Sequence, residues 1–375
     1  MQDERRGDCL PPPRAPDEVR AVPAARPRTP LLIQLPRDGA LSRRETVKEG
    51  ILSAIGHTPL VRLTRLFGNL RFELFAKLEA LNPGGSMKDR PALGILSAAL
   101  ASEQITGDSV IIESSSGNMG IGLAQACSCL GLRFICVVDP KATAQNISLL
   151  KAYGAEVDVV REPDAQTGEF LQARLNRVRE LLASTRNAFW PNQYANLNNA
   201  RAHRQTMREI VTALGGRVDV LVCATSTCGT LRGCAEYARQ WGLSTRIVAV
   251  DAVGSVIFGS PPAKRLLPGH GAGVRPGLYR ADLADQVVHV TDLDCITGCR
   301  LLARREAILA GASSGAVIMA IDRLRWTVPK GAVCVVILAD RGERYLDTVY
   351  SDEWVEEHFG KVSHLWEETM EACHA

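Results

Sequence analysis

Lys88 closes the run Asn82-Pro83-Gly84-Gly85-Ser86-Met87-Lys88-Asp89-Arg90, a turn built from residues that bend backbone readily. Gly84 and Gly85 permit positive φ and close approach of a ligand, and Pro83 stiffens the way in. A helical run over 91–101 follows. It puts Lys88 near a helix N-terminus, where a cation is disfavoured and an anion is welcome. An amine held there gives up its proton more readily, which suits a nucleophile. The ordinary alternative is a solvated surface lysine. Against it, residues 75–79 read as a strand feeding the turn, and open α/β sheets bind ligands in the crevice beyond their strand ends.

Three further loops carry chemistry. Ser114-Ser115-Ser116-Gly117-Asn118-Met119-Gly120 joins a strand to a helix, so its N–H and hydroxyl groups make an anion cradle suited to a carboxylate. A dinucleotide loop is the alternative, but the glycine order here is not Gly-x-Gly-x-x-Gly. Thr225-Ser226-Thr227-Cys228-Gly229-Thr230 repeats the arrangement and suits a phosphate monoester. It lacks a P-loop lysine, so a nucleoside triphosphate is not implied, and plain helix capping is the alternative. Gly311-Ala312-Ser313-Ser314-Gly315 reads as a tight turn presenting a hydroxyl, which can meet a neutral ring nitrogen; a carboxylate would keep that nitrogen protonated. A nucleophile elbow would need a strand before it, and 300–309 reads as helix.

The elements that must hold these loops alternate. Strands are predicted over 110–112, 134–138, 157–160, 218–224, 246–251 and 333–339. Helices are predicted over 118–130, 146–153, 165–184, 231–241 and 295–309. Such alternation means parallel sheets covered on both faces. A Pro/Asn-rich break near 191–199 divides the chain into domains over 47–195 and 196–360. A Pro/Arg-rich extension over 1–46, expected to be disordered, and a tail over 361–375 complete the division.

Composition narrows the function. The 375 residues are 46% hydrophobic and 23% charged with a formal net charge of +3, which offers no case for nucleic-acid binding. Aromatic residues, at 5%, are too few for base-stacking platforms. The 11 cysteines include no Cys-x-x-Cys pair, and several lie in apolar runs, as buried reduced thiols of a cytoplasmic protein would. The histidines are scattered, so no metal site is expected. No apolar run approaches the ~20 residues that span a bilayer, and no membrane association is expected.

With these residues placed, the chain resembles the fold-type II pyridoxal-phosphate enzymes of the cysteine synthase and cystathionine β-synthase family, over residues 51–354. Gly56-His57-Thr58-Pro59-Leu60, the lysine turn, and the segments 115–120, 225–230 and 313–316 fall in the family's order. The resemblance implies an α/β fold of two doubly wound domains, tryptophan synthase β-like, with the active site in the interdomain cleft. It implies pyridoxal 5'-phosphate as cofactor and a homodimer. Lys88 would hold the cofactor as a Schiff base and Asn118 would hydrogen-bond its ring hydroxyl. Thr225, Ser226, Thr227, Cys228, Gly229 and Thr230 would bind its phosphate, and Ser313 would meet its pyridine nitrogen. Ser115, Ser116 and Gln193 would hold the substrate α-carboxylate, with Gly117 and Met119 on the same loop.

Met119 stands where the family's cysteine synthases carry threonine. Within the family, the lysine turn with 91–92 and the segments 137–141, 192–196, 251–259 and 340–352 resemble a siderophore-pathway subgroup. That subgroup joins O-phospho-L-serine to L-glutamate, giving N-(2-amino-2-carboxyethyl)-L-glutamate, a precursor of 2,3-diaminopropionate. Arg174, on the predicted 165–184 helix, is a candidate for an anionic substrate group, and Tyr194 for closing over the substrate. Cysteine synthesis and cystathionine synthesis are the alternatives within the family. A non-catalytic binding protein is the alternative outside it, opposed by the intact Lys88, Asn118 and Ser313.

Overall fold

The computed structural model describes residues 48–367. In chain order its main elements begin with β1 (Leu60–Arg62), β2 (Glu73–Leu78), α1 (Asp89–Ala101), β3 (Val110–Ser114), α2 (Asn118–Leu130), β4 (Arg133–Val138), α3 (Ala144–Ala152), β5 (Glu156–Val159), α4 (Phe170–Ser184) and β6 (Ala188–Phe189). They continue with α5 (Leu197–Ala213), β7 (Val220–Ala224), α6 (Gly229–Gln240), β8 (Arg246–Ala252), β9 (Gln286–Val290), α7 (Asp292–Leu301), α8 (Ala312–Leu324), β10 (Val333–Leu338) and α9 (Asp352–Phe359).

The strands form two sheets, ordered β1-β2-β10-β7-β8-β9 and β5-β4-β3-β6. Every pairing is parallel except β1 with β2. β10 (Val-Cys-Val-Val-Ile-Leu) is buried at every position, and β7 at four of five. These runs show no polar alternation because helices cover both faces of the sheet. One face packs against α7 and α8, the other against α5 and α6. The smaller sheet buries Val110, Ile112, Ile135 and Val137 against Val178 of α4.

The two sheets draw on the chain discontinuously. β2 pairs with β10 in register from Val333 opposite Glu73 to Leu338 opposite Leu78, so residues 60–78 belong to the sheet built mainly by the second half. Only residues 110–189 supply strands to the smaller sheet. The tail departs from the reading. Residues 364–367 form a helical turn and Trp366 is buried in the larger core, beneath the Arg300 guanidinium at 5.2 Å. The extension over 1–46 lies outside the described residues.

Two helices differ in extent for local reasons. α4 starts at Phe170 because Asp164 draws the preceding residues into a turn, accepting from the N–H groups of Gln166 and Thr167 at 3.2 and 2.9 Å, with Gly168 at φ 69°. α7 starts earlier than predicted, at a capping box of Thr291 and Asp294, and passes into a wider turn over Leu302–Glu306 that ends at left-handed Ala307.

Candidate active site

Lys88 is the N-cap of α1, and its turn is stitched to the segment after β10. Ser86 bridges to Asp340, the Met87 N–H donates to the Ala339 carbonyl at 2.8 Å, and the Arg341 N–H donates to the Gly85 carbonyl at 3.2 Å. Gly85 takes φ 84°, as the turn requires. A side chain at Gly84 would run into the Asp89 carboxyl. Lys88 itself is half-buried. Desolvation pushes its amine below the ordinary lysine range, opposed by the charge of Asp340. Loss of water is a cause that the reading from sequence, which rested on the helix end, did not name.

A buried ionic cluster holds the turn from its other side. Arg90 donates to Glu79 from Nε (2.6 Å) and Nη2 (2.8 Å) and to Glu209 from Nη1 (2.9 Å) and Nη2 (2.7 Å). Lys77 adds 2.6 Å to Glu209, and Thr58 donates to Glu79 at 2.8 Å. Two cations and two carboxylates thus neutralise one another in a largely buried setting, with only Glu209 partly exposed, which makes their burial tolerable. The cluster also accounts for the Gly56-His57-Thr58 motif: Gly56 and His57 donate their N–H groups to Asn82 and Glu209 at 2.8 and 3.0 Å.

The α2 terminus lies against the lysine turn. A Cβ on Gly122 would stand 3.1 Å from the Lys88 carbonyl oxygen. Asn118 donates from Nδ2 to Asp340 at 2.7 Å, and Arg344 links its Oδ1 to the Gly84 carbonyl. Ser115 Oγ accepts from the N–H groups of Gly120 (3.0 Å) and Gly117 (3.4 Å), which leaves its own proton to donate. The Ser116 carbonyl accepts from Asn146 at 3.0 Å. Met119 is only 2% exposed, packed in the interior.

At the α6 terminus Cys228 is left-handed, at φ 63°, and buried, turning the chain so that the first N–H groups of the helix converge. Gly229 cannot carry a side chain, because a Cβ would collide with Asn199. Thr227 Oγ1 accepts from Gly229 N–H at 3.3 Å and from Asn199 Nδ2 at 3.2 Å. The Thr225 hydroxyl is spent on the Val250 carbonyl at 3.0 Å. Ser226 is half-buried and Thr230 buried.

Ser313 is buried in the first turn of α8, not in a free-standing turn. Gly315 serves packing, since a side chain there would meet the Cys295 carbonyl across the α7–α8 crossing. The adjacent Ser314 Oγ accepts from Ala339 N–H at 2.9 Å, which ties α8 to the segment facing Lys88.

Gln193 and Tyr194 are placed by groups the sequence reading missed. Glu113, at the end of β3, accepts from Trp190 Nε1 (3.0 Å), Ser114 N–H (2.9 Å) and Gln193 N–H (3.2 Å). Burial nonetheless raises its carboxyl to about 7. Asn199 donates to the Gln193 carbonyl at 2.7 Å as well as to Thr227, so one amide spans the Gln193 segment and the α6 loop. Arg174 is neither exposed nor free: its Nε lies 3.0 Å from Asp139 Oδ2, both side chains largely buried. Burial raises the Tyr194 phenol, and the positive charges of Arg174 and Arg265 oppose that. Arg265 donates to the His270 carbonyl at 3.0 Å and has no carboxylate partner among the described residues.

Residues 51–340 match the family described as Pyridoxal-phosphate dependent enzyme. The chain belongs to that family. It is 49% identical over 310 residues to the N-(2-amino-2-carboxyethyl)-L-glutamate synthase of Ralstonia nicotianae, covering 82% of this chain and 91% of that one. It is 47% identical over 313 residues to the enzyme of the same name from Cupriavidus metallidurans, covering 82% and 92%. Among solved structures it is similar to the O-acetylserine dependent cystathionine beta-synthase from Helicobacter pylori, with a TM-score of 0.76 and 29% identity over 82% of this chain and 100% of that one.

A pyridoxal-phosphate dependent enzyme needs a desolvated amine, a phosphate cradle and neutral partners for a pyridine ring. The groups here fit. The α6 terminus offers converging N–H groups under a glycine that closeness enforces, Lys88 is a desolvated amine, and Ser313 is an uncharged hydroxyl. Among the described residues no cluster of three or more His, Cys, Asp or Glu could hold a metal ion. Nor is any helix long and apolar enough to cross a membrane. The residues missed by sequence reading are Glu113, Asn199, Arg265, Asp340 and Tyr345. Asp340 and Tyr345 lie inside the 340–352 segment and Asn199 inside the 191–199 break, stretches already singled out, but no motif in the sequence marked these residues or Glu113 and Arg265 individually.

Proposed function

We propose that this enzyme joins O-phospho-L-serine to L-glutamate by β-replacement, giving N-(2-amino-2-carboxyethyl)-L-glutamate and phosphate. The bond from Cβ to the phosphate oxygen breaks, and a bond from Cβ to the glutamate nitrogen forms. One observation carries the choice of substrates: the Arg174 and Arg265 guanidinium groups both act on Tyr194, beside Gln193. Arg265 suits an anionic group of a phosphorylated donor or a dicarboxylic acceptor, while Arg174, already paired with Asp139, adds its charge to the same side of the site. The names of the two curated relatives support the same reading.

In this reading Lys88 anchors pyridoxal phosphate, Asn118 meets its ring hydroxyl, Ser313 its pyridine nitrogen, and residues 225–230 its phosphate. When bound, the cofactor supplies the electron sink for charge developing at the substrate α-carbon. The rest falls to the protein. Ser115, Ser116 and Gln193 hold the α-carboxylate, with Gly117 supplying backbone to the same cradle and Met119 packed beneath it. Lys88, desolvated and therefore readily unprotonated, takes the α-proton and returns it after the acceptor has added. Arg265 and Tyr194 hold the distal anionic groups so that the glutamate nitrogen faces Cβ, and Arg174 takes part only if it exchanges Asp139 for a substrate anion.

The product would serve 2,3-diaminopropionate supply for siderophore biosynthesis, in a cytoplasmic homodimer. Buried free thiols are consistent with a reducing compartment. The test is phosphate release from O-phospho-L-serine with and without L-glutamate, in wild type and Lys88→Ala. Glutamate-dependent release that disappears in the variant is expected. Full activity of the variant would remove Lys88 from the mechanism.

A further inference from the structure

Beside Lys88 lies a buried acid to which the reading above gives no task. Asp340 is 1% exposed and sits where three segments cross. Its backbone bridges to Ser86 and accepts from Gly311 N–H at 3.1 Å. Its Oδ2 accepts from Asn118 Nδ2 at 2.7 Å and from Tyr345 Oη at 2.8 Å. Its Oδ1 is buried with no hydrogen-bond partner, and a side chain at Gly311 would collide with it. The titratable and charged groups facing it are Lys88 from the lysine turn, Arg344 and Tyr345 from the segment after β10, and Cys299 from α7.

We propose that Asp340, bridged to the lysine turn at Ser86, is a positioning residue that aims the Asn118 amide and, in its ionised form, places a negative charge beside Lys88. An amide nitrogen carries two hydrogens. Asp340 takes one, and Arg344 holds Oδ1 at the other end, so the amide is locked with its second N–H left to give. An unpartnered buried carboxylate oxygen is costly. A charge that acts on the reactive amine is the use that fits the cost, and Asp340 is the group that opposes the loss of the Lys88 proton.

The inference rests on the proposed role of Lys88, and the test separates the two. The full-length protein loaded with pyridoxal phosphate is titrated while its visible absorption band is followed. Asp340→Asn keeps the shape and removes the charge, so the midpoint of the band's titration is expected to fall by about one pH unit or more. A folded Asp340→Asn protein with the wild-type midpoint overturns the proposal. Should that variant fail to fold, Tyr345→Phe removes one of the two donors to Oδ2. The carboxyl then takes up its proton more readily, and the acid limb of the titration is expected about one unit higher. An unchanged limb in folded Tyr345→Phe overturns the proposal equally. A wild-type protein with no visible band would instead overturn the role of Lys88, and this inference with it.

Discussion

Arg90 and Glu209, 119 residues apart in sequence, meet through two hydrogen bonds, 2.9 Å from Nη1 to Oε1 and 2.7 Å from Nη2 to Oε2. Through them α5 is clamped to the helix that follows the lysine turn. Arg90→Met removes the cation shared by Glu79 and Glu209 and leaves two carboxylates buried with one remaining counter-ion, Lys77. A loss of about 3–5 kcal/mol is expected in urea denaturation. A loss below about 1 kcal/mol, the scale of a surface pair, would show the cluster to be structurally idle.

The same cluster sets an acid limb to stability. Burial alone would raise the Glu209 carboxyl, but hydrogen bonds and charge from Arg90 and Lys77 outweigh it and hold the group at about 2. Its folded value is therefore depressed below the ordinary 4.5, so its contribution is present above about pH 4.5 and lost as pH falls toward 2. On the order of 3 kcal/mol rides on it. Urea midpoints at pH 7, 4.5 and 3 should fall along that limb in wild type and fall less in Glu209→Gln. Parallel curves for the two proteins would assign acid sensitivity elsewhere.

Much of this was legible beforehand where the chain's chemistry is local. The strand-to-helix loops at 114–120 and 225–230 announce themselves through hydroxyls and glycines at a helix start, and α2 spans the predicted 118–130. What the sequence hid is non-local. Nothing near Glu73 says that it pairs with Val333, so the place of β2 beside β10 could not be read locally. Ser313 looked like a turn residue because Gly311 and Gly315 flank it, yet Gly315 marks a helix crossing. Arg174 read as an exposed helix arginine or a substrate contact, and its pair with Asp139 was invisible because the two lie on different elements.

Gly229 gives a steric prediction. A methyl group there would press on the Asn199 side chain, which also holds Thr227 and Gln193. Gly229→Ala should weaken pyridoxal phosphate binding by about tenfold or more, read by fluorescence titration. Adding Asn199→Ala should restore part of the loss by opening space. Wild-type affinity in Gly229→Ala would remove the α6 terminus as the phosphate cradle.

Arg265 gives a kinetic one. Its guanidinium donates to the His270 carbonyl, makes no ion pair with a carboxylate among the described residues though its charge also acts on Asp251, and is expected to serve a substrate anion. Arg265→Gln should raise KM for L-glutamate by about tenfold while kcat changes little, the pattern of lost binding that substrate and transition state share. A fall confined to kcat would place Arg265 outside acceptor binding.

The most direct test of the whole account is a competition. The purified protein, loaded with pyridoxal phosphate, is given O-phospho-L-serine with L-glutamate, sulfide and homocysteine together, and the products are resolved by mass. N-(2-amino-2-carboxyethyl)-L-glutamate as the main product is the predicted result; cysteine or cystathionine in its place would contradict the account.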